Sequence, residues 1–146
     1  MSPGTRDDTL VRRHLLALDR ALSRLEPRAQ LALTAYLADP ELQWAVERGL
    51  LVCAQNVLDI AAHLGAAAGL DSADYASSID GLADIGVVPR DFAAALRPLA
   101  GFRNVLVHAY LTLEPARVHE ALSSKLPELR TFAKYVEDYL AEPRGR

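Results

Sequence analysis

The chain has little of what marks a familiar chemistry at first sight. Its 146 residues include one cysteine, one methionine and one tryptophan. A lone Cys53 excludes an internal disulfide framework and makes a reducing compartment the simpler expectation. Cys53 also falls within a helical apolar pattern with no activating base beside it, so it reads as a buried thiol. No glycine-rich phosphate loop is present, and the four histidines form no short metal-ligand cluster, which leaves only ligands assembled from distant segments. The expectation is therefore no metal and no cofactor. No amino-terminal signal pattern occurs, and no continuous apolar run reads as a conventional membrane crossing, so a cytoplasmic protein without a membrane partner is expected. An excess of positive charge is missing too: the net charge is -3 and the pI about 5.8, so a polyanion would have to meet a local basic patch.

What is present is helical periodicity. The hydrophobic share of 51% stands beside 24% charged residues, the balance of a chain whose apolar helix faces pack together, and the length suits one domain over 1-146. Leu10, Leu15, Leu18, Leu22 and Leu25 predict an amphipathic helix over approximately residues 5-26. Arg12, Arg13, Arg20 and Arg24 decorate its other directions and are the first place to look for a phosphate track. Arg28 to Leu37 reads as another helix or a long helical turn. Asp39-Pro40 then caps a long helix to about Leu64, whose stripe runs Leu42, Val46, Leu50, Cys53, Val57, Ile60 or Ala61, and Leu64. On that helix Gly49 lowers helix propensity while leaving room for close packing, and Asp59 sits one turn after Gln55. A short helix is expected from Tyr75 to Leu82, a further one from around Arg90 to at least Val107, and a last one after Glu114-Pro115 that Pro127 should bend or divide. The pattern predicts an all-α, up-and-down bundle with four main helices and one or more short additional ones.

One stretch departs from this plain packing logic. Gly101 to Tyr110 sets Arg103, Asn104, His108 and Tyr110 among Phe102, Val105, Leu106 and Val107. Polar groups buried in such company must be paired or must face a cleft, so the stretch is either a satisfied core network or a catalytic surface. At about 100 degrees per residue, Arg103 and Tyr110 return to one helix face while His108 lies nearer Asn104. Arg103 and His108 thus need a distorted helix or a second chain to act together, and the apolar residues around the circumference favour a homodimer. Histidine exchanges protons near neutral pH and arginine stabilises phosphate oxygens, a pair of roles that fits RNA cleavage without a metal.

The run Arg103-Asn104-Val105-Leu106-Val107-His108-Ala109-Tyr110 resembles the R-x4-H-x-Y signature of HEPN-domain, HepT-like ribonuclease toxins, and the long helix carrying Asp59 is similar to that family as well. The resemblance implies a HEPN-like bundle acting on RNA, with tRNA as substrate class, as a homodimer or a higher assembly of dimers. It assigns catalytic roles to Arg103 and His108 and supporting roles to Asn104 and Asp59. Tyr110 becomes the position modified with adenosine monophosphate by an MntA-like nucleotidyltransferase antitoxin. The alternative is a non-catalytic helical interaction or regulatory protein that retains the fold and uses Arg103 and His108 to organise an interface.

Overall fold

A computed structural model describes residues 7-109 and 111-142. Among them the chain forms α1 (Thr9–Leu25), a 3-10 turn (Glu26–Gln30), α2 (Leu33–Leu37), α3 (Pro40–Ala67), α4 (Tyr75–Asp84), α5 (Arg90–Leu96), α6 (Leu99–His108) and α7 (Pro115–Ala141). The result is the expected all-α bundle, with α3 at its centre in contact with α1, α2, α4, α6 and α7.

The long helices form where the periodicity predicts them. The Asp39 carboxylate accepts from the Leu42 amide at 3.0 Å, and Pro40 enters the first turn where its missing N–H costs nothing. Val46, Leu50, Cys53, Val57, Ile60, Ala61 and Leu64 are all buried along the core face of α3. Gly49 does permit close approach: a Cβ there would lie 2.7 Å from Cδ2 of Leu25, so α1 and α3 meet at a spot only a glycine fits without a shift. Burial pushes the Cys53 thiol up to about 12, in keeping with an inert packing residue.

Several expectations need correction. Leu10 is 45% exposed, and Val11 takes its place in the α1 stripe. The segment from Arg28 to Leu37 is split between a 3-10 turn and the five-residue α2, which Tyr36 anchors in the core. The single helix expected from Arg90 to at least Val107 is two, α5 and α6, because Pro98 has no N–H to donate and its ring crowds the preceding turn. Pro127, by contrast, does not divide α7, which runs unbroken from Pro115 to Ala141. By length and composition alone α3 is long and apolar enough to cross a membrane, but half of its most apolar stretch is buried against neighbouring helices, as in the core helix of a bundle.

α6 is the exception to this dense packing. Leu99 is its only buried residue; Phe102, Leu106 and Val107 are half-buried and Val105 is 41% exposed. The helix therefore lies on α3 and α4 with an apolar flank that the described residues leave uncovered.

Candidate active site

α3 and α6 bring the first polar cluster together. Gln55, Asn56 and Asp59 interrupt the apolar pattern of α3 on the side that α6 covers, and Tyr75 opens α4 beside them. Arg103 reaches across from α6 and donates through Nε to Gln55 Oε1 at 2.9 Å. The Gln55 amide nitrogen donates onward to Asp59 Oδ1 at 2.9 Å and lies 3.0 Å from the Tyr75 hydroxyl, which itself donates to Asp59 Oδ1 at 3.3 Å. The Arg103 guanidinium also lies 5.8 Å from the centre of the Tyr75 ring, within cation-π range. Gln55 is thus polarised between a cation and a carboxylate, and Arg103 is aligned by two contacts, a polar one to Gln55 and an aromatic one to Tyr75.

The remaining donors of Arg103 are partly free. Nη1 donates to Asn104 Oδ1 at 3.1 Å, and Nη2 has no hydrogen-bond partner among the described residues. A guanidinium held at Nε with an open Nη2 can meet an oxyanion with little reorganisation. His108 is the last residue of α6; it is exposed and its ring has no partner among the described residues. The helix ends there as the Ala109 amide donates to Val105 and Ala109's carbonyl accepts from the Thr112 amide. Of the residues singled out in sequence, the structure joins Arg103, Asn104 and Asp59 in one network, Asp59 indirectly through Gln55. His108 stands apart from it at the helix end, and Tyr110 lies outside the described residues.

Three contributors to the site lie outside the Arg103–Tyr110 motif. Gln55 is the hub of the network, Tyr75 is its aromatic floor, and Arg48 lines the 280 Å³ groove that holds Gln55, Asn56, Arg103 and Val107. His14 of α1 touches the same neighbourhood. Asn56 Nδ2 donates to the Val52 carbonyl at 2.8 Å, which leaves its Oδ1 to accept from His14 Nδ1, also at 2.8 Å. The signal for all of these was the adjacent pair Gln55-Asn56 in an otherwise apolar helix, since buried amides ask for partners. No group of three or more potential metal-ligating side chains occurs among the described residues.

A bundle with an arginine and a histidine five positions apart on one helix, braced by a polar seam on a long central helix, defines a class: the HEPN-type helical proteins. A sequence profile described as ribonuclease HepT-like matches residues 18-136, and the chain belongs to that family of HEPN toxins from toxin–antitoxin systems. It is 26% identical over 137 residues, 92% of each chain, to the tRNA nuclease HepT of Aphanizomenon flos-aquae. Two solved structures share the fold at 20% identity. One is the cytosolic protein of unknown function YutE from Bacillus subtilis, with a TM-score of 0.81 over 94% of this chain and 92% of that one. The other is the tri-AMPylated HEPN toxin of Shewanella oneidensis in complex with its MNT antitoxin, with a TM-score of 0.80 over 90% of this chain and 99% of that one.

Proposed function

We propose that the protein is a metal-independent endoribonuclease toxin, with Arg103 and His108 as its catalytic residues and Asn104 and Asp59 supporting them. The observation that carries this reading is the Arg103 guanidinium, fixed by Gln55 and Tyr75, on the same short helix as an exposed His108; among the described residues neither Arg103 Nη2 nor the His108 ring has a partner. His108 assists attack of the ribose 2′-hydroxyl on the adjacent phosphorus or protonates the departing 5′-oxygen. Arg103 stabilises the phosphoryl oxygens as charge builds on them. One histidine cannot hold both protonation states at once, so two copies meeting across the uncovered flank of α6 divide the acid and base work in a homodimer.

The substrate class is tRNA, after the Aphanizomenon relative, and the control is adenylylation of Tyr110 by a nucleotidyltransferase antitoxin, after the modified Shewanella toxin and its MNT partner. An adenylyl group on Tyr110, two positions after His108 in the chain, adds bulk and negative charge, which oppose entry of an RNA phosphate. The site acts in the cytoplasm, where RNA and antitoxin are found.

The test is cleavage of a total cellular RNA pool by the purified, unmodified protein in EDTA. The reading expects specific cuts that disappear in His108→Ala with folding retained. If the folded, dimeric parent leaves the whole pool intact while His108→Ala changes only assembly, the protein is instead a non-catalytic interaction module on the same fold.

A further inference from the structure

Eight of the described arginines, apart from Arg12, Arg13 and Arg103, fall into two groups of four. Arg90, Arg97, Arg117 and Arg130 are each paired with a carboxylate, at Asp84, Asp80, Glu114, and Asp19 with Glu26 respectively. Arg20, Arg24 and Arg48 are exposed and make no ion pair among the described residues, and Arg28 bonds only the backbone carbonyl of Arg24. These last four rim one groove of about 510 Å³ between α1 and α3, and no carboxylate lines it. Its floor is small and apolar: Ala17, Ala21, Ala45 and Gly49 keep the helices close and the bottom smooth.

The groove does not stand alone. Arg48 and Val52 also line the hollow that holds Arg103, and Arg48 and Ala45 line a third hollow beside Trp44. Trp44, the chain's single tryptophan, is 78% exposed. Leaving so large a ring in water has no packing benefit, and the one acidic residue along the three hollows, Glu41, lies at this outer end. At 1.5 Å per residue, the eleven positions from Trp44 to Gln55 span about 16 Å, on the order of five stacked nucleotides at about 3.4 Å each. Arg20 and Arg24 are one turn apart on α1, about 6 Å along its axis, so their forks can meet successive phosphates.

We propose that this arginine-rimmed groove between α1 and α3 binds the sugar–phosphate backbone of the RNA strand leading away from the Arg103 site, with Trp44 stacking a base at the far end. The inference rests on the ribonuclease reading for the identity of the polyanion. Unpaired arginines supply sequence-independent attraction, and an exposed indole supplies stacking that every base can use. The groove thereby gives a chain of net charge -3 the local basic patch that its composition withholds. Two of the four arginines expected on sequence to form a phosphate track, Arg20 and Arg24, take part; Arg12 and Arg13 do not line it.

The experiment uses a labelled, single-stranded RNA of about ten nucleotides with 2′-O-methyl riboses, a length that exceeds the span above, so that binding is read by fluorescence anisotropy without cleavage. Arg20→Ala/Arg24→Ala/Arg28→Ala should weaken binding at least tenfold at ~50 mM salt and make the slope of log K against log salt shallower by about 2, at roughly 0.7 per lost phosphate contact. Trp44→Ala should weaken binding by about fivefold or more and leave the slope unchanged. Arg117→Ala, outside the groove, should alter neither. A triple variant with the parent's affinity and slope overturns the proposal. So does one whose affinity falls only because its sedimentation mass falls, since the groove then belongs to a second copy. A parent that binds with these dependences yet cuts no RNA keeps the groove and removes the nuclease, whereas a parent that cuts RNA while the triple variant binds normally removes the groove alone.

Discussion

Gln55→Leu isolates what the polar seam does for Arg103. The substitution keeps the side chain's approximate length and removes the acceptor 2.9 Å from Arg103 Nε together with the amide that donates to Asp59 and meets the Tyr75 hydroxyl. A hydrogen bond to a charged group contributes roughly 1.5–3 kcal/mol. Asp59 keeps the Tyr75 hydroxyl at 3.3 Å, and the cluster is half-buried, so the stability loss should stay near the lower end of that scale, about 1.5 kcal/mol. The catalytic loss should be larger in consequence, because a guanidinium released from Nε no longer sits where charge develops. At about 1.4 kcal/mol per decade, kcat should fall about 10- to 100-fold with KM changed far less. Tyr75→Phe leaves both the Gln55 contact and the aromatic ring under Arg103, so its kcat should fall only about threefold, less than one decade. Initial rates on a defined RNA in EDTA, with melting curves for each variant, provide the assay. If Gln55→Leu cleaves like the parent while Arg103→Ala is dead, the seam does not position Arg103 and the reasoning fails.

The uncovered flank of α6 predicts that Val105→Glu, at a site 41% exposed, converts a dimer of the 15.9 kDa chain to a monomer in sedimentation equilibrium; an unchanged dimer mass places the interface elsewhere. Incubation with the proposed nucleotidyltransferase antitoxin and ATP should add adenylyl groups visible in the intact mass and lost in Tyr110→Phe, and modification that persists in that variant rejects Tyr110 as the acceptor. Arg130 ties α7 to α1 by donating to both Glu26 oxygens at 2.9 Å and to Asp19, and its hydrogen bonds hold the Glu26 carboxyl below its ordinary value of 4.5. A depressed carboxylate contributes stability that is full above the unfolded-state value and lost as pH falls through the folded one. The melting temperature of Arg130→Met should therefore lie below the parent's at pH 7, with the gap narrowing as pH falls below 4.5; a gap that stays constant into strong acid contradicts the assignment.

The bundle could be read from the chain because its information is local. Asp39-Pro40 and the three-to-four spacing of Val46, Leu50, Cys53 and Val57 specify α3 without reference to any other segment. Helix breaks were harder: Pro98 and Pro127 carry the same chemistry, yet only the first ends a helix, while α7's Val118, Leu122, Leu126 and Leu129 stay buried on both sides of Pro127 and favour its continuation. For the site, Arg103 and His108 stood out as polar residues in an apolar run. Their partners did not, since Gln55 is 48 residues from Arg103 and Tyr75 is 20 from Gln55. Contacts of that separation follow from the way α3, α4 and α6 pack, which periodicity within one helix does not encode. The arginine groove has the same origin: Arg48 meets Arg20 and Arg24 only because α1 packs across α3.

The most direct test of the central claim, that Arg103 and His108 cut RNA by way of its own 2′-hydroxyl without a metal, is a cleavage time course in EDTA on two RNAs that differ by one atom. The first is a substrate cut by the parent protein, and the second carries hydrogen in place of the 2′-hydroxyl at the cut position. The account predicts cleavage of the first and none of the second at that bond. Equal cleavage of both would contradict it.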